Sequence, residues 1–230
     1  CIISLFVTFV MITGGIDIQA GSIVGLSSIV LGVAWQDGGM NIWAAVALAV
    51  AVSAVCGALS GYFVAYCGVQ PMVVTLGGSF LFTGIALLVS NLSATESYKG
   101  INGFPDSFLQ LSRFKLFGII PCQVLIFLAL AVTAYILLNR TKYGRMIFLI
   151  GVNKEAAEFS GINTRLVTMS TYILSGVSAA IAGIILTSYI GTAKSDIGVT
   201  FTLPIITAVV LGGTLSTGGK GSVVGTALAA

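Results

Sequence analysis

Long hydrophobic runs, divided by short polar stretches, make up most of this sequence. Four uncharged runs reach the length that a membrane-crossing helix needs, about 20 mostly apolar residues. They cover residues 42–69, 70–92, 116–138 and 167–190. Three further runs, at 1–13, 21–35 and 203–213, are too short to cross a bilayer alone as straight helices. The pattern predicts an all-α bundle of membrane helices, with short or broken helices among them.

Composition places the chain in a lipid environment. Of its 230 residues, 57% are hydrophobic and only 7% are charged, whereas soluble domains carry about 25% charged residues. A soluble domain of this size cannot bury so many apolar side chains, so lipid has to cover much of the surface. We therefore expect residues 1–230 to form a single transmembrane domain. The net charge of +3 is small and dispersed, which argues against nucleic acid as a partner.

The stretch GGIDIQAG, residues 14–21, interrupts the first hydrophobic region with three glycines and a charge. Either the flanking runs are two short helices, or they form one broken helix whose irregular backbone lies at membrane depth. Irregular backbone at that depth has to be surrounded by protein or by a water-filled cavity, and Asp17 would then face a cavity or a partner group. Alternatively, the stretch is an aqueous turn in which Asp17 caps the following helix.

Basic residues concentrate in one polar loop, residues 139–166. Five of the ten Lys and Arg residues lie there. They are Arg140, Lys142, Arg145, Lys154 and Arg165. The positive-inside rule predicts that this loop is cytoplasmic. Counting spans outward then places the 93–115 loop outside the cell, the Cys67–Pro71 turn inside and the 35–41 turn outside.

A short helix is predicted within this basic loop, at Lys154–Ser160. Asn153 is a good N-cap residue, Glu155 lies in the positively polarised first turn, and Gly161 suits the position after the C-cap. Three residues share one face of the helix: Ala156, Phe159 and Ser160. Such a face could insert into a groove on a partner protein. The alternative is an amphipathic connector that lies on the membrane surface.

The residue inventory argues against chemistry in this chain. There is no histidine, which removes His-based triads, imidazole metal sites and histidine proton relays. The four cysteines are scattered without metal-ligand spacing and suit apolar packing. The stretch GGTLSTGGKGS fails the P-loop pattern, because Thr214 occupies the first glycine position and Gly221 follows Lys220. We therefore predict no catalytic residue, no metal site and no cofactor here, and ATP with Mg²⁺ on a partner subunit if transport is active.

Three glycine pairs have the GxxxG spacing that allows close helix contact in membranes. They are Gly21/Gly25, Gly57/Gly61 and Gly221/Gly225. We interpret them as general packing faces rather than as one specific dimer seam. The pentapeptides GSIVG and GSVVG, at 21–25 and 221–225, each follow a Gly-Gly pair, which is either a trace of an inverted repeat or a chance match.

Five stretches resemble a known family of transport proteins. EAAEFSG matches the EAA-x3-G signature of the membrane subunits of bacterial ABC importers, at Glu155, Ala156, Ala157 and Gly161. More closely, GGIDIQAGSIVGLSSIVLG, GVQPMVVTLGGSFLFTGIALLVS, YGRMIFLIGVNKEAAEFSGIN, YILSGVSAAIAGIILTS and AVVLGGTLSTGGKGSVVGT are similar to the ribose/galactose/arabinose-type (monosaccharide) permeases. These stretches occur in the family's order, and the resemblance runs through essentially the whole chain.

The resemblance implies a polytopic, type-II-like permease in the bacterial cytoplasmic (inner) membrane. This chain, which starts without Met and stops within an apolar run, would be truncated at both ends. The implied partners are ATP-binding subunits, an extracytoplasmic sugar-binding protein, a second permease copy or a sister permease, and the lipid bilayer. The family's coupling helix, which docks on the ATPase, would comprise five of the residues at 155–161. They are Glu155, Ala156, Ala157, Phe159 and Gly161.

In such a permease, ATP-driven closure of the motor subunits would push on the coupling helix and shift the transporter between outward- and inward-open states. Gly14, Gly15, Asp17 and Gly21 would then lie beside the translocation path or at a pivot near it. The cargo would be a monosaccharide such as ribose, or a related small polar solute. Two departures leave the cargo open. Gln19-Ala20 replaces the family's usual residues after the Asp, and Thr202 and Pro204 stand where acidic residues are common.

Other classes fit less of the sequence. An ion-coupled secondary transporter would use Asp17, the one acidic residue flanked by apolar segments on both sides. A passive channel or a membrane scaffold leaves the capped helix in the basic loop unexplained. An intramembrane enzyme lacks histidine and paired acids.

Overall fold

The computed structural model describes residues 1–92, 100–116 and 120–230, and this part of the chain is mostly helical. Eleven α-helices occur in these ranges. Their bounds are α1 Ile2–Ile12, α2 Ala20–Gln36, α3 Ile42–Ala65, α4 Pro71–Leu92, α5 Asp106–Arg113, α6 Cys122–Asn139, α7 Lys142–Val152, α8 Lys154–Phe159, α9 Thr164–Ile190, α10 Thr202–Leu211 and α11 Val223–Ala229. A 3₁₀ turn at Val199–Phe201 leads into α10.

Two short antiparallel strand pairs complete the described structure. They are β1 Ile101–Asn102 with β4 Thr192–Ala193, and β2 Lys115–Leu116 with β3 Ile120–Pro121. In the first pair Ile101 lies opposite Ala193, just beyond the end of α9. This pairing attaches the polar region before α5 to the end of the longest helix.

Four helices, α3, α4, α6 and α9, are long and apolar enough to cross a membrane. They match the four long hydrophobic runs, and α1, α2 and α10 match the three short ones. The prediction from run length is therefore confirmed for each apolar segment. One start differs: α6 begins at Cys122 rather than near residue 116, because Leu116 belongs to β2 and Ile120–Pro121 form β3.

The first two helices form a broken element at the centre of the bundle. Every residue of α1 from Ile3 to Ile12 is buried, as expected for a helix that is apolar on all sides. Residues 13–19 are not helical, and α2 starts at Ala20. Protein surrounds most of this irregular segment, which is the condition under which non-helical backbone is tolerated at membrane depth.

Glycines set the closest helix contacts. A Cβ atom on Gly57 would overlap the carbonyl oxygen of Tyr172, and one on Gly61 would lie 2.9 Å from the carbonyl oxygen of Met169. Both contacts bring α3 against α9 without intervening side chains. The other two glycine pairs also face backbone or side chains of this same chain. The interpretation of the GxxxG pairs as packing faces is confirmed.

The two ends of the sequence meet inside the bundle. Thr8 in α1 and Thr226 in α11 share a hydroxyl–hydroxyl hydrogen bond of 3.0 Å, although they lie 218 positions apart in sequence. The backbone N–H of Gly219 donates to the carbonyl oxygen of Ile12 at 2.9 Å. The GGTLSTGGKGS segment therefore packs against the end of α1.

Both regions expected to be loops contain additional helices. The 93–115 region carries α5, whose Phe108 is fully buried; residues 93–99 of this loop lie outside the described residues. The 139–166 region carries α7 before the expected short helix, and Ile147 and Ile150 of α7 are buried in the bundle. The apolar stretch MIFLI is too short to span a bilayer, but it is long enough to pack one face of a helix.

Candidate functional site

The irregular segment between α1 and α2 begins with a tight turn. Gly14 has φ +83, a left-handed conformation that glycine adopts without steric cost. The N–H of Gly15 donates to the carbonyl oxygen of Val10 at 3.0 Å, and the hydroxyl of Thr13 donates to the same oxygen at 2.8 Å. These bonds close the end of α1 and direct the chain across the bundle toward α9.

Asp17 is buried in the middle of this segment, with 1% of its surface exposed. The hydroxyl of Ser175, on α9, donates to Oδ2 at 2.5 Å, and the backbone N–H of Gln19 donates to Oδ1 at 3.2 Å. Such charge-assisted bonds are stronger than neutral ones. The alternative of an aqueous turn is therefore wrong, because the carboxylate is buried against partner groups. Its cap-like bond to the backbone before α2 is present, although the N-cap residue itself is Gln19.

Gln19 extends the same polar cluster to α3. Its side chain is fully buried, and its Oε1 accepts a hydrogen bond of 2.6 Å from the hydroxyl of Ser60. Gly78, on α4, lies directly against this oxygen. The residue that departs from the family's usual pattern thus links the irregular segment to two spanning helices.

A row of hydroxyl groups ties the irregular segment and the first turn of α2 to α4. Thr75 donates to the carbonyl oxygen of Ile16 at 2.9 Å. One turn further along α4, Ser79 shares a 2.8 Å hydrogen bond with Ser22, and Thr83 donates to Ser22 at 3.0 Å. Hydroxyl groups of this kind hold helices together where lipid offers no alternative partner.

Two of the predicted glycines allow close approach. A Cβ on Gly15 would lie 2.5 Å from the hydroxyl oxygen of Tyr172. A Cβ on Gly21 would overlap the Oγ1 of Thr202 and lie 2.5 Å from the carbonyl oxygen of Gly198. The threonine at an otherwise acidic position of the family therefore packs against the start of α2.

Together these contacts make a polar junction where the break meets α3, α4 and α9. Gly15 and Asp17 both lie against α9, through Tyr172 and Ser175. Gly21 instead packs against Thr202 and Gly198, and Gly14 lies at the exposed edge. Hydrogen-bond donors surround the Asp17 carboxylate, which is the arrangement of a structural anchor rather than of a cation site lined by oxygens. Within the described residues, no cluster of three or more Cys, Asp and Glu side chains could hold a metal.

The short helix in the basic loop has the predicted form. α8 spans Lys154–Phe159, and the Asn153 side chain accepts from the N–H of Ala156 at 3.0 Å as its N-cap. Gly161, with φ +80, follows the C-cap. The hydroxyl of Thr164 donates to Glu158 at 2.6 Å and fixes the start of α9 next to α8.

The outer face of α8 is free of contacts within the described chain. Phe159 is 93% exposed, whereas Ala157 on the opposite face is buried. Glu155 and Ala156 are also exposed. An aromatic side chain held this far from its own protein, on a helix with a fixed position, is suited to insert into a partner.

α7 connects α8 to the bundle. Gly144, near the start of α7, lies against the backbone of Leu138, and the hydroxyl of Tyr143 shares a 2.7 Å hydrogen bond with Ser170 of α9. Burial raises the pKa of Tyr143 above its ordinary value, so this hydroxyl stays protonated. α8 is therefore mounted on a helix that is itself fixed to α9.

The side chains around Asp17 and Gln19 were not predicted from the sequence. Ser175 bonds Asp17, Ser60 bonds Gln19 and Tyr172 lies against Gly15, but all three lie in apolar runs and carry no motif of their own. A signal was available, since Tyr172 and Ser175 stand three positions apart, on one face of an otherwise apolar span. Polar groups that share a face of a membrane helix generally point at one another or at a partner.

The whole chain is similar to known transport proteins. The family model described as "Branched-chain amino acid transport system / permease component" matches residues 1–230. The chain is 44% identical over 228 residues to the autoinducer 2 import system permease protein LsrD of Yersinia pseudotuberculosis (strain YPIII), which covers 99% of this chain and 68% of that protein. Proteins of the same name from Photorhabdus luminescens and Yersinia enterocolitica are 43% identical over the same span. No solved structure matches the chain.

Proposed function

Because the chain belongs to the family of permease components of branched-chain amino acid transport systems, we propose that it imports a small polar solute across the bacterial inner membrane, driven by ATP-binding partner subunits. The observation that carries the proposal is the match to import permeases over the whole chain. Members of such systems are transporter subunits, not enzymes, so ATP hydrolysis belongs to a separate subunit. An extracytoplasmic binding protein would deliver the cargo.

The proposed cargo is a solute of the autoinducer 2 class rather than ribose. The relatives at 43–44% identity are named as autoinducer 2 import permeases. Two residues at the break, Gln19 bonded to Ser60 and Thr202 packed against Gly21, also differ from the family's usual residues. Uptake of labelled autoinducer 2 and of labelled ribose, each into proteoliposomes with the ATP-binding subunits and binding protein, tests this assignment. Ribose uptake that exceeds autoinducer 2 uptake would contradict it.

The proposed role of α8 is to couple the permease to the ATP-binding subunit. Its capped ends fix its position, and the exposed Phe159 offers one aromatic side chain to a groove. Glu155, Ala156 and Ala157 also belong to the proposed coupling element, and Gly161 follows its C-cap. The proposed role of the polar junction is that of a pivot beside the path, with Gly14, Gly15, Asp17 and Gly21 at the break.

Co-purification of the full-length protein with its ATP-binding subunit tests the role of α8. We expect a stoichiometric complex for the wild type and its loss in Glu155→Lys and Gly161→Trp. Asp106→Lys is the matched control, since Asp106 is also an exposed acidic residue in the first turn of a short helix. Gly39→Trp is the second control, because Gly39 also has positive φ and open space around it.

The outcomes separate the two transport mechanisms. A complex lost in both α8 variants and kept in both controls supports the coupling role. A wild-type protein that never associates with an ATP-binding subunit, and whose uptake is abolished by ionophores, would favour the ion-coupled alternative.

A further inference from the structure

Three chain segments meet at one point next to α8. They are the end of α1, the end of α7 and the GGTLSTGGKGS segment. The backbone N–H of Gly219 donates to the carbonyl oxygen of Ile12 at 2.9 Å. Gly151 of α7 lies over this hydrogen bond: a Cβ atom there would overlap the Ile12 oxygen and lie 2.5 Å from the Gly219 nitrogen. Three backbones are therefore in direct contact.

The contact reaches the irregular segments on both sides. A Cβ on Gly218 would lie 2.9 Å from the backbone nitrogen of Gly14. The segment after α10 and the break after α1 are thus packed against each other as well as hydrogen-bonded. Any shift of one segment displaces the other, because close-packed backbone has no free space to absorb the movement.

α8 is attached to this contact through two residues. The N–H of Asn153, the N-cap of α8, donates to the carbonyl oxygen of Leu149 in α7 at 3.0 Å. The side chain of Val152 lies against Gly219. The connection from α8 to Gly151 is therefore short and hydrogen-bonded, without a flexible linker.

We infer that Gly151 is a positioning residue that transmits displacement of α8 to both irregular segments, residues 13–19 and 212–222. The inference rests on the proposed function, since α8 moves only if a partner pushes on it. Contiguous packed contacts of this kind carry energetic coupling between sites. A side chain at position 151 separates the three backbones and breaks the transmission.

The test compares Gly151→Ala with Gly77→Ala in the full-length permease with its ATP-binding subunits and binding protein. Gly77 is a matched control, because it also lies within a helix but has nothing within 4 Å of the added methyl group. Both changes favour helix formation by about 1 kcal/mol. A defect in Gly151→Ala that is absent from Gly77→Ala therefore comes from the contact at Gly151. The readouts are solute uptake per ATP hydrolysed and hydrogen–deuterium exchange of the 212–222 segment.

We expect Gly151→Ala to speed exchange at Gly219 and to lower uptake per ATP about tenfold, near the upper range for coupling substitutions, while the complex with the ATP-binding subunits stays intact. Gly151→Val should lower it further, and Gly77→Ala should match the wild type. Normal uptake per ATP in Gly151→Ala would overturn this inference but would leave the proposed function standing. A wild type without ATP-driven uptake would overturn the proposed function and, with it, the coupling.

Discussion

Asp17 shows how a single charge is accommodated within an apolar bundle. Its two oxygens accept hydrogen bonds from the Ser175 hydroxyl and the Gln19 backbone, so burial does not leave the carboxylate without hydrogen-bond donors. The sequence showed the glycines beside Asp17, and it left two environments open for the carboxylate: a cavity or partner group, or an aqueous turn. It did not identify Ser175 as the partner, because Ser175 lies 158 positions away and only the packing of α9 against the break brings it there.

Replacement of Asp17 tests this anchor. Asp17→Leu leaves the Ser175 hydroxyl and the Gln19 N–H without an acceptor, and each unsatisfied group costs about 1–3 kcal/mol. We expect a lower thermal unfolding midpoint in detergent and impaired uptake, with Asp17→Asn intermediate. Asp37→Leu is the control, since Asp37 is exposed at the end of α2. Normal stability and uptake in Asp17→Leu would contradict the assignment.

The contact between Gly15 and Tyr172 allows a sharper test. Gly15→Ala places a methyl group 2.5 Å from the Tyr172 hydroxyl oxygen, and we expect it to destabilise the protein by about 1–3 kcal/mol, as overpacking does. Tyr172→Phe removes that oxygen. The double variant should therefore recover part of the lost stability, measured as a coupling energy in a double-mutant cycle. Additive effects would show that the two residues do not touch.

At the scale of the elements, run length was the reliable guide. All seven apolar runs became helices, and the capping residues Asn153 and Gly161 marked α8 correctly. α5 and α7 were missed, because neither has the length of a span and each lies within a polar region. Their apolar faces are buried only in the folded bundle, where Phe108 and Ile150 pack against elements distant in sequence. Short amphipathic helices depend on tertiary packing more than on their own propensity.

The cap of α8 can be tested by substitution. Asn153→Ala removes the acceptor for the Ala156 N–H, at a cost of about 1 kcal/mol to the helix. We expect weaker co-purification with the ATP-binding subunit and normal co-purification in Asn153→Ser, which retains an N-cap oxygen. The same substitution at Asn163, the N-cap of the long helix α9, provides the comparison. Equal binding by Asn153→Ala and Asn153→Ser would show that the cap does not matter for docking.

At the scale of the whole molecule, the family assignment made from five sequence stretches is confirmed, as are the all-α fold and the membrane location. The predicted cargo was a monosaccharide such as ribose or a related small polar solute; ribose itself is not confirmed, since the relatives are named for autoinducer 2. The orientation of the bundle in the membrane stays a prediction, because it rests on loop charges alone.

Thiol labelling can determine that orientation. Cys67 is exposed in the turn predicted to be cytoplasmic, and Met40 is exposed in the turn predicted to lie outside. With the other cysteines replaced by serine, a membrane-impermeant maleimide applied to intact cells should label Met40→Cys in a Cys67→Ser background, and should leave Cys67 unlabelled. Inside-out vesicles should give the reverse. The opposite pattern in either preparation would place α8 outside the cell.

The bond between Thr8 and Thr226 also has a consequence for biosynthesis. A ribosome delivers the first of these threonines long before the second, and chains generally begin to fold from the N-terminal side during synthesis. Until the segment around Gly219 has been made, the Ile12 carbonyl also lacks its donor, and an unsatisfied backbone group in lipid costs several kcal/mol. The packing around α1 is therefore completed only after the segment that carries Gly219 and Thr226 has been synthesised.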